Sequence, residues 1–579
     1  MSRDNPTSLE QRLSVHLQPL YPDEDPARMA QACLEAMELS PSATPVKPHA
    51  NLWSERDTVV ITYGDSIRRE AEAPLQTLRQ FCHDHLSDCI STLHILPFFP
   101  YSSDDGFSVM DYTTVNPALG NWDDIETLSA EFKIMGDLVI NHCSSRSLWF
   151  DNFRQSIDPG ASFFYCAPGD ADTSMVVRPR TSPLLREVET PDGVKHVWCT
   201  FSHDQVDLNF ENPDVLYEFI KIIRLYLEKG IRWFRMDAVA FVWKKLGTAC
   251  INLPETHELI RLLRLLIEHK APDAVIITET NIPNHENLTY FGNANEAHLI
   301  YNFSLPPLLL NTLITGNCTH LKSWLMTMPP AQFGTTYLNF VASHDGIGLR
   351  PTEGLLSEWE VDTMISTLQR FGAKVSCRTN AQGEPKPYEI NISLWNALQG
   401  TAQHGPDTWQ YARFMCAHAI MASLEGIPAF YIHSLIATEN DYERIENTGH
   451  FRSINRHIWD ADALSDALQD TGTHHHKVIN GMRRLLEIRC KQPAFHPNAT
   501  QFTLHLGESL FAFWRQSTDR RQSIFAIHNI SDQPQSLNLS ELNLVSTDQW
   551  TDLISEQHFE DRVAQLELAP YQYMWLTNL

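Results

Sequence analysis

Three carboxylates stand at the ends of three β-branched runs, and their types suit chemistry at a sugar. Asp237 closes IRWFRMDA (231–238), Glu279 closes VIITE (275–279), and Asp345 follows TYLNFVASH (336–344). MGDLVINH (135–142) adds Asn141 and His142, and the loop after TLHILPF (92–98) adds Asp104. Two carboxyls held roughly 5–5.5 Å apart can carry out double displacement at an anomeric carbon. The attacking one must be ionised and near a cation. Asp237 fits, because Arg235 lies two residues earlier in the same strand and points to the same side. The other must hold a proton at neutral pH, through burial or nearby negative charge. Glu279 fits, with no basic neighbour in Ile277-Thr278-Glu279-Thr280-Asn281. Asp345 then suits sugar hydroxyls and the positive character of the transition state, with His142 and His344 as hydrogen-bond donors. Any one of these alone reads equally well as structural; their convergence on one rim carries the argument.

Other chemistries have less support. His142, Asp237, Glu279, His344 and Asp345 could compose a His/carboxylate metal centre, but the first strand TVVITY (58–63) carries no HxH and HExxH is absent. The triplet His474-His475-His476 lies in a polar stretch without ligand spacing. GxGxxG and GxxxxGK[ST] are also missing. The expectation is an enzyme with no metal and no cofactor.

The elements that must position these groups read as an α/β (β/α)8 TIM barrel. Eight near-continuous apolar runs, the five above plus TVVITY, LIYNF (299–303) and AFYIHS (429–434), alternate with helical stretches. That pattern fits parallel strands buried on both faces. Asn212–Leu227 and Glu255–His269 are expected helices. The connections 143–230 and 345–428 are too long for simple crossovers, so inserted subdomains are expected after strands 3 and 7. Beyond about residue 498, short alternating segments predict a C-terminal antiparallel β domain. The expected division is an N-terminal helical extension and linker (1–50), barrel strands 1–3 (51–142), a B insert (143–205), strands 4–7 (206–344), a B′ insert (345–400), strand 8 with closing helices (401–497), and the β domain (498–579). The extension has two readings: cover for the main domain, or contact with a second subunit in a homodimer. Ser40–Ala50 reads as a proline-stiffened linker.

Composition narrows the partners. With 44 Lys and Arg against 71 Asp and Glu, the formal charge is −27. Nucleic acid and anionic membrane repel such a surface, although a few arginines in a cleft can still hold an anion. Eleven cysteines without a CxxC suggest reduced thiols, and neither a secretory leader nor an 18-residue apolar run is present. The expected location is cytoplasmic.

Several motifs together resemble the α-amylase superfamily: FRMDAV (234–239), ITETN (277–281), ASHDGIG (342–348), DLVINH (137–142) and SSDDGFSVMDY (102–112). HILPFFPYSSDDGF (94–107), LGNWDDI (119–125), VVRPR (176–180), VDLNF (206–210) and RSINRH (452–457) are similar to its sucrose phosphorylase branch, and the 1–50 extension to the long members that act on glucosylglycerate and related compounds. The resemblance implies a retaining phosphorylase that passes glucose from a small α-glucoside to inorganic phosphate, through a covalent glucosyl-aspartate, giving α-glucose 1-phosphate. It implies Asp237 as nucleophile, Glu279 as general acid/base and Asp345 as transition-state stabiliser. Asp104, Phe107, His142, Arg235 and His344 become glucose-binding residues, with Arg452 or Arg456 joining Asp104 at the 4-hydroxyl end.

Phosphate needs cationic donors, and Arg178 and Arg180 suit it by charge and fork geometry; the plainer alternative is two surface arginines about Pro179. Segments 176–185 and 380–392 are placed to act as lids. On the acceptor side, Phe241 and Asn281 stand where sucrose-specific members carry Tyr and His, and the loop 381–391 carries Glu384, Lys386, Tyr388, Glu389 and Asn391. Lost hydroxyl and imidazole groups change which acceptor is held. Glycerate or glycerol is favoured, and Lys386, Arg178 or Arg180 could meet a glycerate carboxylate. The alternatives are sucrose, sucrose 6′-phosphate, or a hydrolase or transglucosylase using the same carboxylates.

Overall fold

A computed structural model describes residues 8–41, 52–379, 385–542, 549–559 and 565–579. Eight parallel strands close into a barrel: β1 (Val59–Thr62), β2 (Thr92–Ile95), β3 (Lys133–Val139), β4 (Ile231–Asp237), β5 (Val275–Thr278), β6 (Leu299–Tyr301), β7 (Thr336–Phe340) and β8 (Ile427–Tyr431). Each pairs with its sequence neighbours, and β1 pairs with both β2 and β8 to complete the ring. All eight expected runs are barrel strands, but their ends differ. Residues 96–98, 140–142 and 341–344 continue the runs beyond the paired barrel strands, and of these His142 and 341–344 line the cavity at the C-terminal end of the barrel. Strand β8 starts two residues earlier than expected, and Ile432–Leu435 turns into a short helix instead of continuing it.

Helix α1 (Leu9–Leu20) starts with a capping box between Ser8 and Gln11, and α2 (Pro26–Met37) is capped by Asp25. Leu9, Leu13, Leu17 and Leu20 are buried along one face of α1. The pair lies across α3 (Pro213–Glu228) and α4 (Pro254–Lys270), which follow β3 and β4 around the barrel. His16 Nδ1 meets Glu258 at 2.8 Å, Arg224 donates to Ala36 O at 3.0 Å, and Tyr21 Oη donates to Phe210 O at 2.9 Å. The extension therefore covers the barrel's outer helices. The proposed linker falls mostly on residues 42–51, outside those described.

The connection after β3 carries an antiparallel sheet of Cys166–Ala167, Gly193–Trp198 and Leu185–Thr190, and a two-stranded one in which His142–Ser144 pairs with Gln205–Asp207. After β7, the segment expected to be a loop is a strand over Pro385–Asn391, paired with Lys374–Thr379 and with Ile347–Gly348. Proline cannot donate to a ladder, and Pro385 and Pro387 lie toward the outer end of this strand, beyond a bulge between Ser376 and Cys377, where the pairing tolerates them. Beyond the barrel, a six-stranded antiparallel sheet and a two-stranded one form a separate C-terminal domain with its own core around Ala512, Phe525, Ile527 and Trp550. Among the described residues no helix is long and apolar enough to cross a membrane.

Candidate active site

The three strand-end carboxylates share one open cavity at the C-terminal end of the barrel. Asp237 ends β4, and Glu279 follows β5. Between them the chain ends are laced together: Glu279 N–H donates to Met236 O at 3.2 Å, and Ala238 N–H donates to Glu279 Oε2 at 3.0 Å. Ala238 takes a left-handed conformation (φ 49°), costly for a residue with a Cβ, to turn the chain directly after Asp237. Arg235, 2% exposed, lies beneath both carboxyls. Its Nη1 donates to Asp237 Oδ1 at 2.8 Å and also to Asp137, while Nη2 lies 3.8 Å from Glu279 Oε1. Contact with one rigid guanidinium limits those two oxygens to about 9 Å apart or less.

Electrostatics follows from that shared cation. Burial pushes both carboxyls upward against the pull of Arg235; Glu279 adds repulsion at Asp237, and Asp345 adds it at Glu279. The two titrate as a pair. Arg235 lies nearer to Asp237 than to Glu279, 2.8 against 3.8 Å, so its charge favours the ionised form of Asp237 more strongly. Asp137 behaves differently. Burial alone would raise it, but Arg235 and His94 outweigh burial and hold it below the ordinary carboxylate range. His94 Nε2 meets Asp137 Oδ2 at 2.7 Å with both side chains fully enclosed.

Asp345 is held still more firmly. Arg452 Nη1 lies 2.6 Å from its Oδ1, and His344 Nε2 is 3.6 Å from Oδ2. Against burial, Arg452, His344 and Arg235 hold its carboxyl far below the usual range. Burial pulls the His344 imidazole well below its ordinary pKa against the pull of Asp345, and neither ring nitrogen has a hydrogen-bond partner among the described residues. Phe107 stacks on this ring with centroids 5.2 Å apart. Asp104 lines the same wall, and Gln205 Nε2 donates to its Oδ2 at 3.2 Å. His142 also lines the cavity, with both nitrogens engaged: Asn141 Nδ2 lies 3.1 Å from Nδ1, and Phe107 O lies 3.0 Å from Nε2. Of the two arginines left open by RSINRH, Arg452 lines the cavity. Arg456 does not line it; it binds Asp105 Oδ2 at 2.6 Å and His344 O at 2.9 Å, and its Nη2 lies 3.9 Å from Asp345 Oδ1 behind the wall.

The acceptor-side residues separate in the same way. Arg180, Phe241, Asn281, Tyr388 and Glu389 line the cavity. Arg178 does not; its guanidinium donates to the carbonyl of Ser182. Lys386 is exposed on the outer part of its strand and does not line the cavity either. Glu389 is spent within the protein, gripped by Arg452 (Nε–Oε1 2.8 Å, Nη2–Oε2 2.7 Å) and accepting from Gly346 N–H at 2.8 Å. Only glycine fits at 346, since a Cβ there would overlap the Glu389 carboxylate.

Sequence reasoning passed over several contributors. Asp137 and His94 support Arg235 from inside the barrel. Gln205 ties Asp104 to the His142 side, with its Nε2 also 3.2 Å from Phe107 O. Lys244, buried beyond β4, donates to Asn141 Oδ1 at 2.7 Å and lies 2.9 Å from Asp207 Oδ2. Arg350 and Phe201 line the cavity. Asp137 and His94 left a trace, as polar residues inside apolar runs that demand a buried partner. Gln205 and Arg350 left none.

A parallel eight-stranded barrel whose rim gathers two buried carboxyls on one guanidinium, with a third carboxylate opposite, defines a carbohydrate-active barrel enzyme. Comparison with known proteins agrees. The family model "Alpha amylase, catalytic domain" matches residues 88–346, and "Maltogenic Amylase, C-terminal domain" matches 502–575. The chain is 41% identical over 535 residues to the glucosylglycerate phosphorylase of Spirochaeta thermophila, covering 90% of each chain. It is 39% identical over 576 residues to that of Allomeiothermus silvanus, covering 98% of this chain and 99% of the other. The crystal structure of sucrose 6F-phosphate phosphorylase from Thermoanaerobacter thermosaccharolyticum shares the fold, with a TM-score of 0.71 at 24% identity over 82% of this chain and 94% of that one. The protein belongs to the α-amylase superfamily, in its branch of retaining α-glucoside phosphorylases.

Proposed function

We propose that the protein phosphorolyses a glucosylglycerate, releasing glycerate and forming α-glucose 1-phosphate. The observation that carries the choice of acceptor is similarity over 90% and 98% of the chain to two relatives named for that activity. The cavity supports it: Phe241 and Asn281 line the acceptor side without a tyrosine hydroxyl or an imidazole, and Arg180 lines the same cavity with positive charge.

The geometry supports a double displacement. Asp237, ionised against Arg235, attacks the anomeric carbon; Glu279 gives its proton to the departing glycerate oxygen, and a β-glucosyl ester forms on Asp237. Asp345, fixed as an anion by Arg452, faces the positive charge that develops on the ring. His344, whose ring nitrogens have no partner among the described residues, is placed to meet sugar hydroxyls. Phosphate then replaces glycerate, its oxygen attacks the same carbon, Asp237 leaves as carboxylate, and Glu279 takes the phosphate proton. Arg180, between the rings of Phe201 and Tyr388, is placed to hold that phosphate. Eleven free thiols, most of them buried, support a reducing cytoplasmic setting.

The test is incubation of the enzyme with glucosylglycerate, glucosylglycerol and sucrose, each with and without phosphate. Glucose 1-phosphate should appear only with phosphate, and fastest from glucosylglycerate. Free glucose at equal rates in both arms, or sucrose as the fastest donor, refutes the reading.

A further inference from the structure

Two of the four arginines that line the cavity are already neutralised. Arg235 is held by Asp137 and Asp237, and Arg452 by Asp345 and Glu389. Two arginines differ. Arg180 and Arg350 line the cavity, and neither makes an ion pair with any carboxylate among the described residues. In a chain of net charge −27, two uncompensated guanidinium groups facing one cavity form a site for an anion.

Their placement locates that anion. Arg180 sits 5.9 Å from the ring centre of Phe201 and 5.8 Å from that of Tyr388. Leu349 N–H donates to Tyr388 O at 3.0 Å, so Arg350, the next residue, stands beside the same aromatic shelf. Two residues before Arg350 the chain presses onto Asn281: a Cβ on Gly348 would lie 2.7 Å from Asn281 Nδ2. Asn281 is two residues beyond Glu279, and its Oδ1 has no hydrogen-bond partner among the described residues. Arg350 thus belongs to the wall running from the proposed proton donor to Arg180. Glycerate carries its carboxylate within two carbons of either hydroxyl, so an acceptor oxygen at Glu279 brings the carboxylate to this wall.

We propose that Arg350 holds the acceptor's carboxylate and so sets the preference for a hydroxy acid over a neutral polyol. The inference rests on the phosphorylase reading above. Arg180 is left for the phosphate that follows, and the two anions are held by different members of one basic pair.

Synthesis from α-glucose 1-phosphate by the full-length enzyme tests this, with glycerate, lactate and glycerol as competing acceptors. In Arg350→Met, kcat/KM for glycerate and lactate should fall roughly 10- to 100-fold relative to glycerol, the loss expected for a charge-assisted fork. Arg350→Lys should recover part of the ratio, because lysine keeps the charge without the fork. Thermal unfolding reports whether each variant is folded; if Arg350→Met is not, Arg350→Gln carries the same comparison. An unchanged acid-to-glycerol ratio overturns the assignment. A wild-type enzyme that favours glycerol over glycerate overturns the substrate reading instead, and Arg350 is then judged by the lactate-to-glycerol ratio, which must still fall. A wild type that accepts no carboxylate at all overturns both.

Discussion

Replacing Asp137 by asparagine should destabilise the protein and shift its pH profile toward acid. Arg235 Nη1 bridges Asp137 and Asp237, and the Asp137 side chain is fully enclosed. Removing one partner from a buried ion pair costs roughly 3–5 kcal/mol. Asparagine still offers Arg235 an acceptor and Asp237 remains, so about 3 kcal/mol is expected. The pH effect has a definite sign. The Asp137 charge raises the proton affinity of Asp237. Two carboxylate oxygens sharing one nitrogen lie within about 5 Å, where repulsion at an effective dielectric of about 20 is roughly 3 kcal/mol, or about two pH units. Losing that repulsion makes Asp237 easier to ionise, so the acid limb of kcat/KM should move down by one to two pH units. Urea denaturation at neutral pH and a pH–rate profile read the two effects. A limb that stays put or moves upward, in a variant as stable as wild type, refutes the role given to this network.

Three further outcomes are expected. Burial raises Glu425 to about 7, against its bond from Ala331 N–H; its folded pKa exceeds the unfolded value near 4.5, so its stabilising effect is complete below that value and disappears as pH rises through 7. Glu425→Gln should flatten the decline in stability between pH 5 and 8, read by denaturant midpoints at both ends. Leu17→Ala empties a fully buried position between the N-terminal hairpin and the barrel, and should cost roughly 2–4 kcal/mol and quicken proteolysis within residues 8–41. Gly348→Ala pushes a methyl group against Asn281, and should raise the acceptor KM several-fold, measured in the synthetic direction.

The barrel and its three carboxylates were legible because both rest on strong local signals: apolar runs long enough to be buried on two faces, each ending in a charge that such a core cannot hold unpaired. Asp137 shows where that legibility stopped. It pairs in register with Arg235 on the adjacent strand, but only the closed sheet makes the two neighbours. Arg452 and Arg456 are four residues apart in one short motif, and the 3₁₀ turn over Phe451–Asn455 decides which faces the cavity. Arg178 and Arg180 likewise flank one proline and diverge. Arg350 carried no pattern; what marks it is the absence of a partner, a property of the folded cavity rather than of the sequence.

The central claim is that a glucosyl group passes through Asp237 under proton control by Glu279. Trapping tests it most directly: a Glu279→Gln variant is exposed to α-glucosyl fluoride, whose leaving group needs no acid, then quenched and its peptides weighed. One added glucosyl residue on the peptide containing Asp237 is predicted. An adduct on another residue, or none together with a first product of inverted configuration, contradicts the account.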